Sequence, residues 1–203
     1  MSISVPFPAV SCREFSCFRS HVMTLQYAAK DQQFINLREP VAGRAADADS
    51  LKAALRTLGG GVSVITAGEG DSRTGATVTS ATALSVDPPR ILVALNRSSS
   101  TWPVVERFGH FAVNIVGTPH QFVANQFAGI GGLKGTERYR GAEWTRLASG
   151  APILEDAVAA IDCTIEEAIE RHSHVIVIGK VEAIRIGSGH SLLYQNGRYH
   201  SVD

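Results

Sequence analysis

Apolar and polar positions alternate along most of the chain beyond residue 46, and a period of two predicts strands rather than helices. The clearest exception is "DADSLKAALRTL" at 47–58. Leu51, Ala54, Leu55 and Leu58 recur there at helical spacing. Asp49 or Ser50 can cap the start, and Gly59, Gly60 and Gly61 end it. "GVSVITAG" then reads as a strand, "EGDSRTG" as a turn and "GATVTSATALSV" as a second strand. After a break at "DPP", "RILVALN" reads as a third, so the connections are short enough for an antiparallel meander. Thr101 and Pro103 open a short helix over "WPVVERFG", and "HFAVNIV" is the next strand. Thr118 and Pro119 open a second short helix carrying Phe122, Val123, Gln126 and Phe127.

The stretch at 159–186, "AAIDCTIEEAIERHSHVIVIGKVEAIRI", is ambiguous on propensity, because "EEAIE" favours helix. Alternation decides the matter. Ile161, Cys163, Ile165 and Ile169 fall on one side, with Asp162, Thr164 and Glu166 opposite. Two long strands with a turn near Arg171 and His172 follow. "SLLYQNGRYHSV" closes as a hairpin about Asn196-Gly197. The whole is mainly β: about seven or eight strands forming a barrel, with short peripheral helices. There is no internal repeat.

Composition narrows the functional classes. At 203 residues the chain suits one well-buried domain. Lys plus Arg and Asp plus Glu are both 19, so no general attraction to nucleic acid or an anionic membrane is expected. No apolar run approaches the roughly 20 residues that span a bilayer. Cys12, Cys17 and Cys163 make neither a disulfide framework nor a zinc site, and a reducing, cytoplasmic setting is the plain reading. The first 22 residues lack a sustained apolar core of the secretory kind, and Met23 is an alternative start. Residues 1–45 are therefore read as an N-terminal extension and 46–203 as the folded domain.

The chemistry concentrates in "GATVTSATALSVDPPRILVALNRSSST" at 75–101. A strand that only filled a core would favour bulky β-branched or aromatic residues. Here Thr77, Thr79, Ser80, Thr82 and Ser85 crowd one part and Ser98, Ser99, Ser100 and Thr101 close the other. Hydroxyls beside a helix start are expected to collect a phosphate, while Ala81 and Ala83 let a flat ring lie against strand backbone. A serine-rich surface turn with ordinary capping is the alternative on residue chemistry alone. The glycine-rich segment "GIGGLKGTERYRGAEW" lacks phosphate-loop spacing and follows a helix, so it reads as a mobile flap. Lys134 or Arg138 in it is a candidate phosphate contact. Glu166, Glu167 and Glu170 read as a solvated face, and no His–Asp pattern near Ser98–Thr101 makes a hydrolase nucleophile. His172 and His174 have no third ligand close in sequence, so no metal site is expected.

Taken in order, "GVSVITAG", the 75–101 stretch, "FAVNIV", "QFVANQFAG", "GAPILEDAVAAIDCTIEEAIERHSHVIVIGKV" and "LLYQNGRY" resemble the flavin reductase-like family. Members are small reductase components of two-component flavin monooxygenases on an FMN-binding split barrel. The resemblance implies that Thr79, Ser80, Ala81, Thr82 and Ser85 line the flavin ring and ribityl chain. It implies that Asn96, Ser99, Ser100 and Thr101 reach the chain and phosphate. His174 stands where the family has the histidine of a Gly-Asp-His triplet associated with nicotinamide binding. The triplet here is His172-Ser173-His174, without the glycine and the aspartate.

The resemblance further implies FMN or FAD as flavin, NADH or NADPH as hydride source, a partner monooxygenase and a homodimer. Hydride would pass directly between cofactors, so no catalytic acid or base is assigned. A non-catalytic flavin-binding or storage protein on the same barrel is the alternative, kept open by the altered triplet.

Overall fold

A computed structural model describes residues 46–202, which lie within one compact unit, Ala46–Asp203. The readings of Cys12, Cys17, Met23 and the 1–45 extension fall outside the described residues. The first helix, α1 (Ala48–Thr57), starts where Asp47 accepts hydrogen bonds from the backbone N–H of Asp49 at 3.0 Å and Ser50 at 2.8 Å. Asp47, rather than Asp49 or Ser50, is thus the cap, since an N-cap carboxylate must precede the N–H groups it accepts. The Ser50 N–H bond foremost holds its carboxyl below the usual carboxylate range. Leu51, Leu55 and Leu58 line one side of this end of the chain, yet all three are exposed.

Strands β1 (Gly60–Gly61), β2 (Ser63–Ala67), β3 (Thr74–Val78), β4 (Thr82–Ser85) and β5 (Arg90–Asn96) come next. Helix α2 (Trp102–Phe108), β6 (His110–Ile115), α3 (Gln121–Phe127), β7 (Trp144–Arg146) and β8 (Pro152–Leu154) follow. The long pair β9 (Ala159–Arg171) and β10 (His174–Ile186) precedes the closing hairpin β11 (Leu193–Gln195) and β12 (Arg198–His200). Seven strands form one antiparallel sheet in the order β3-β2-β6-β9-β10-β5-β4.

This order corrects the expected meander. The single strand read over "GATVTSATALSV" is broken at Thr79–Ala81: its first half pairs with β2 and its second with β5. Those halves are the two outermost strands of the sheet. Four peptide steps from Val78 to Thr82 reach at most about 14 Å. The sheet must therefore curl until its edges nearly meet, which is a barrel with an open seam.

The barrel has two buried faces. Ile65, Val93, Leu95, Phe111, Val113, Cys163, Val175 and Val177 share one core, while Val64, Ala112, Ala160, Val123, Phe127, Ile153 and Leu154 form a second one beneath α3 and β8. Strand β2 is buried at every position as a result, so the alternation rule fails there. Asp162, on the side opposite Ile161 and Cys163, is itself fully buried; its Oδ2 accepts from the Ser149 N–H at 2.7 Å and its Oδ1 from the Ser149 hydroxyl. Two register shifts between β9 and β10, at Glu166 and Glu182, also break the period, because a bulge moves the following residues across the sheet. The β9–β10 turn lies at His172 (φ 50°), and the closing hairpin turns at Asn196 (φ 50°) and Gly197 (φ 79°).

Candidate functional site

The seam gathers most of the hydroxyl-bearing residues. Thr79, Ser80 and Ala81 are the link between the sheet edges, and Ser80 Oγ donates to the Ala94 carbonyl of β5 at 2.9 Å. Thr79 and Thr82 are exposed, and Ala81 and Ser85 are half-buried. As the outermost strand, β4 pairs with β5 alone, so its other edge offers backbone N–H and C=O groups to a ligand. A Cβ at Gly60 would stand 2.9 Å from Thr79 Cβ, so only glycine lets β1 come this close to the seam.

Two residues beyond Ala94, or roughly 7 Å along the strand, Asn96 ends β5. Its Oδ1 accepts from the Ser98 N–H at 2.9 Å and the Ser98 hydroxyl at 2.8 Å, an Asx turn that fixes the serine run. Asn96 lies directly opposite His174 across the β5–β10 pairing. The segment implied for the flavin chain and the histidine implied for nicotinamide are therefore cross-strand neighbours on one rim. A cleft of about 520 Å³ there is lined by Asn96, Arg97, Ser98 and Trp102 with Glu170, His172 and Ser173. Arg97 pairs with Glu170 at 2.7 Å. Ser173 Oγ sits 2.9 Å from His174 Nδ1.

The helix-start reading of the serine run changes in two respects. Ser99 Oγ, not Thr101, accepts from the Trp102 N–H at 3.3 Å, and Thr101 has helical backbone with no side-chain cap bond. The first N–H groups of α2 are also already used. Pro103 has none, and those of Val104 and Val105 both donate to the Thr101 carbonyl, at 3.1 and 3.0 Å. A phosphate at this turn must rely on hydroxyls and loop N–H groups instead. Thr101 itself is fully buried with an unpartnered hydroxyl, whereas Ser98 and Ser100 are exposed and Ser99 is half-buried.

Arg138 is engaged elsewhere. Its Nε donates to the Leu133 carbonyl at 3.0 Å and its Nη1 to the Gly75 carbonyl at 2.5 Å, so it clips the 129–144 segment to β3. Beside it Tyr139 donates to the Thr74 carbonyl at 2.6 Å and packs with Phe127 and Trp144. That segment is thus tied to β3 at Arg138 and Tyr139 and packed on an aromatic cluster of Phe127, Tyr139 and Trp144.

Sequence reasoning missed Tyr194 and Tyr199 on the closing hairpin. Together with Val62, Thr77, Thr79 and Ile130 they line a hollow of about 320 Å³ beside the seam. Period-two alternation puts Tyr194 and Tyr199 on their strands but cannot say that the hairpin folds back onto β1, where Gly60 pairs with Tyr194.

A split barrel whose seam carries hydroxyls, small residues and an unpaired strand edge defines a class of flavin-handling barrels. The flavin reductase like domain is matched over residues 55–203, and the chain belongs to the flavin reductase-like family. It is 37% identical over 159 residues to the FMN reductase (NADH) RutF 2 of Methylorubrum extorquens, covering 78% of this chain and 91% of that one. BorF, the flavin reductase component of a bacterial two-component tryptophan halogenase, superposes with a TM-score of 0.70 at 28% identity, over 77% of this chain and 98% of BorF. Nitrilotriacetate monooxygenase component B from Mycobacterium thermoresistibile gives 0.69 at 28% identity, over 76% and 86%.

The seam fits the flavin that this family handles. Ala81 and Ala83 leave space for a flat ring, the free edge of β4 can read polar ring atoms, and the exposed serines after Asn96 supply donors for a phosphate.

Proposed function

We propose that the chain is a flavin reductase: an oxidoreductase that takes hydride from NADH and hands reduced flavin to a separate oxygenase. One observation carries this reading: the hydroxyl-lined seam and His174 lie on the same rim, His174 facing Asn96 across the β5–β10 ladder. Flavin, when bound, supplies the hydride-accepting chemistry, so the protein's contribution is orientation. Thr79, Ser80, Ala81, Thr82 and Ser85 line the ring and ribityl chain. Asn96, Ser99 and Ser100 hold the chain and phosphate. Thr101, being buried, supports that turn through its carbonyl.

His174 orients the nicotinamide, and Ser173 takes over the holding of its ring from the missing aspartate through the 2.9 Å contact to Nδ1. The NADH named for the Methylorubrum extorquens relative supports NADH over NADPH. The two-component systems of BorF and component B support an oxygenase partner. A homodimer belongs to the same proposal, supported by exposed apolar side chains at Leu84, Val86, Ile184 and Ile186. So does a cytoplasmic setting; no described helix is long and apolar enough to cross a membrane.

The test is NADH oxidation by purified protein with FMN, FAD or riboflavin added in turn. Turnover that scales with added flavin is expected. Flavin binding without turnover in any combination would refute the reductase and favour a flavin carrier, the reading that the His-Ser-His triplet keeps open.

A further inference from the structure

The loop that delivers His174 to the rim holds a backbone conformation that its first residue does not favour. Arg171 of β9 pairs with His174 of β10, so His172 and Ser173 alone form the loop. His172 stands at φ 50°, and Ser173 is not among the residues of positive φ. A two-residue hairpin with positive φ at its first loop position takes glycine there, because a Cβ crowds the neighbouring carbonyl. At the closing hairpin the demand is met locally, by Asn196 and Gly197. At His172 the conformation must be held from outside the loop.

Arg97, one residue beyond β5, holds it at three points. Its backbone N–H donates to the Ser173 carbonyl at 3.0 Å, and its Nη1 donates to the His172 carbonyl at 3.4 Å. Its Nη2 meets the Glu170 carboxylate of β9 at 2.7 Å. The ion pair is half exposed, and such a pair contributes little by itself. The value of the guanidinium is geometric: its planar fork reaches a carboxylate and a carbonyl at once, whereas an ammonium is a single point of charge. The same loop carries the ring of His174, since Ser173 Oγ lies 2.9 Å from His174 Nδ1. Asn96, next to Arg97 in the chain, faces His174 across the ladder.

We propose that Arg97 is a positioning residue for hydride transfer from NADH. Its clasp on the β9–β10 loop stands in for the glycine that a positive φ at position 172 demands, and so fixes Ser173 and the His174 ring. Arg97 acts through the loop and not on the nucleotide. The consequence for NADH rests on the reductase reading; the clasp itself does not.

The test crosses Arg97→Ala with His172→Gly. Alone, Arg97→Ala should raise KM for NADH about five-fold, the factor that about one net hydrogen bond carries, and leave KM for FMN unchanged. Arg97→Lys should recover only part of the loss. In a His172→Gly chain the loop adopts its turn unaided, so adding Arg97→Ala should move KM for NADH by less than about two-fold. An equal rise in both backgrounds would mean that Arg97 meets the nucleotide directly, and would overturn the proposal. A parallel rise in KM for FMN would overturn it too.

Amide hydrogen exchange supplies a readout that needs no turnover. The N–H of residue 97 should exchange about five-fold faster in Arg97→Ala than in the wild type, and no faster in the double variant than in His172→Gly. Unchanged exchange in Arg97→Ala refutes the clasp. The expected exchange pattern in a protein that oxidises no NADH would leave the clasp standing and sink the reductase. Should Arg97→Ala not fold by circular dichroism, Arg97→Lys takes its place in both measurements.

Discussion

Asn114 ties the second layer of the fold to the sheet. It is fully buried in β6, and its Nδ2 donates to the Val64 carbonyl at 3.1 Å and to Thr66 Oγ1 at 3.0 Å. Its Oδ1 accepts from the Leu154 N–H at 2.8 Å, and Thr66 Oγ1 in turn donates to the Pro152 carbonyl at 2.5 Å. One amide thus joins β2, β6 and β8. In Asn114→Ala the three bonds go, at a net of about 1 kcal/mol each. The Leu154 N–H is left buried without a partner, which shifts the total toward about 4 kcal/mol. For a chain of this length that should lower the melting temperature by about 10 °C.

Urea unfolding followed by circular dichroism reads the loss directly, with a lower midpoint and an unchanged slope. Asn114→Asp keeps the acceptor, loses both donors and adds a buried charge, so it should be at least as damaging at neutral pH and partly relieved in acid. A double-mutant cycle with Thr66→Val should return a coupling of about 1 kcal/mol. A loss below about 1 kcal/mol in Asn114→Ala would refute the claim that this amide pins β8 to the sheet.

Two further expectations concern the same layers. The Cys163 thiol is pushed up to about 12, by burial first and then by Asp162 and Glu182, and burial also raises the Tyr139 phenol against the pull of Arg73 and Arg138. Both groups are neutral in the fold while their unfolded counterparts ionise from pH 9.0 and 10.0, so the unfolded chain holds fewer protons there. The stability they contribute is complete below pH 9.0 and is lost as pH rises toward the folded values. Urea midpoints should accordingly fall above that pH, and fall less in Cys163→Val; a flat alkaline profile would contradict the burial argument. Arg138→Lys keeps the charge but loses the two-pronged grip on Leu133 and Gly75, and should destabilise by about 2 kcal/mol. If instead stability holds while KM for flavin rises several-fold, Arg138 is a phosphate contact after all.

Local chemistry in the sequence reads through to the structure where one residue decides the outcome. Asn196-Gly197 demands its tight turn, the DPP break ends β4, and the polar pair His172-Ser173 turns β9 into β10. What the pattern could not convey is which strand lies beside which. "GATVTSATALSV" alternates like one strand, yet its halves lie at opposite edges of the sheet, because β3 turns back onto β2 while β4 pairs forward with β5, and β2 and β5 are themselves joined to β6 and β10 on the two sides of the sheet. Asp162 and Asn114 are polar positions whose burial the pattern does not convey: Ser149 covers Asp162 and Leu154 of β8 covers Asn114. Arg138 shows the limit for charge, since a basic residue in a glycine-rich loop suggests phosphate while nothing in the pattern foretells that its guanidinium also spans the Leu133 and Gly75 carbonyls.

The hydroxyl-rich stretch has a physical cause beyond ligand chemistry. A barrel that stays open must leave two strand edges unpaired, and an unpaired edge of bulky apolar residues invites aggregation. Small polar residues at the seam keep those backbone groups hydrated, while Ser80 ties the link to the Ala94 carbonyl so that the edges stay close. The free edge of β4, held at fixed spacing, offers backbone donors and acceptors of the kind a flat polar ring with a phosphate tail needs. Closure of the fold and the proposed flavin site therefore draw on one set of residues. That is why the stretch departs from strand-core composition just where the sheet changes edges.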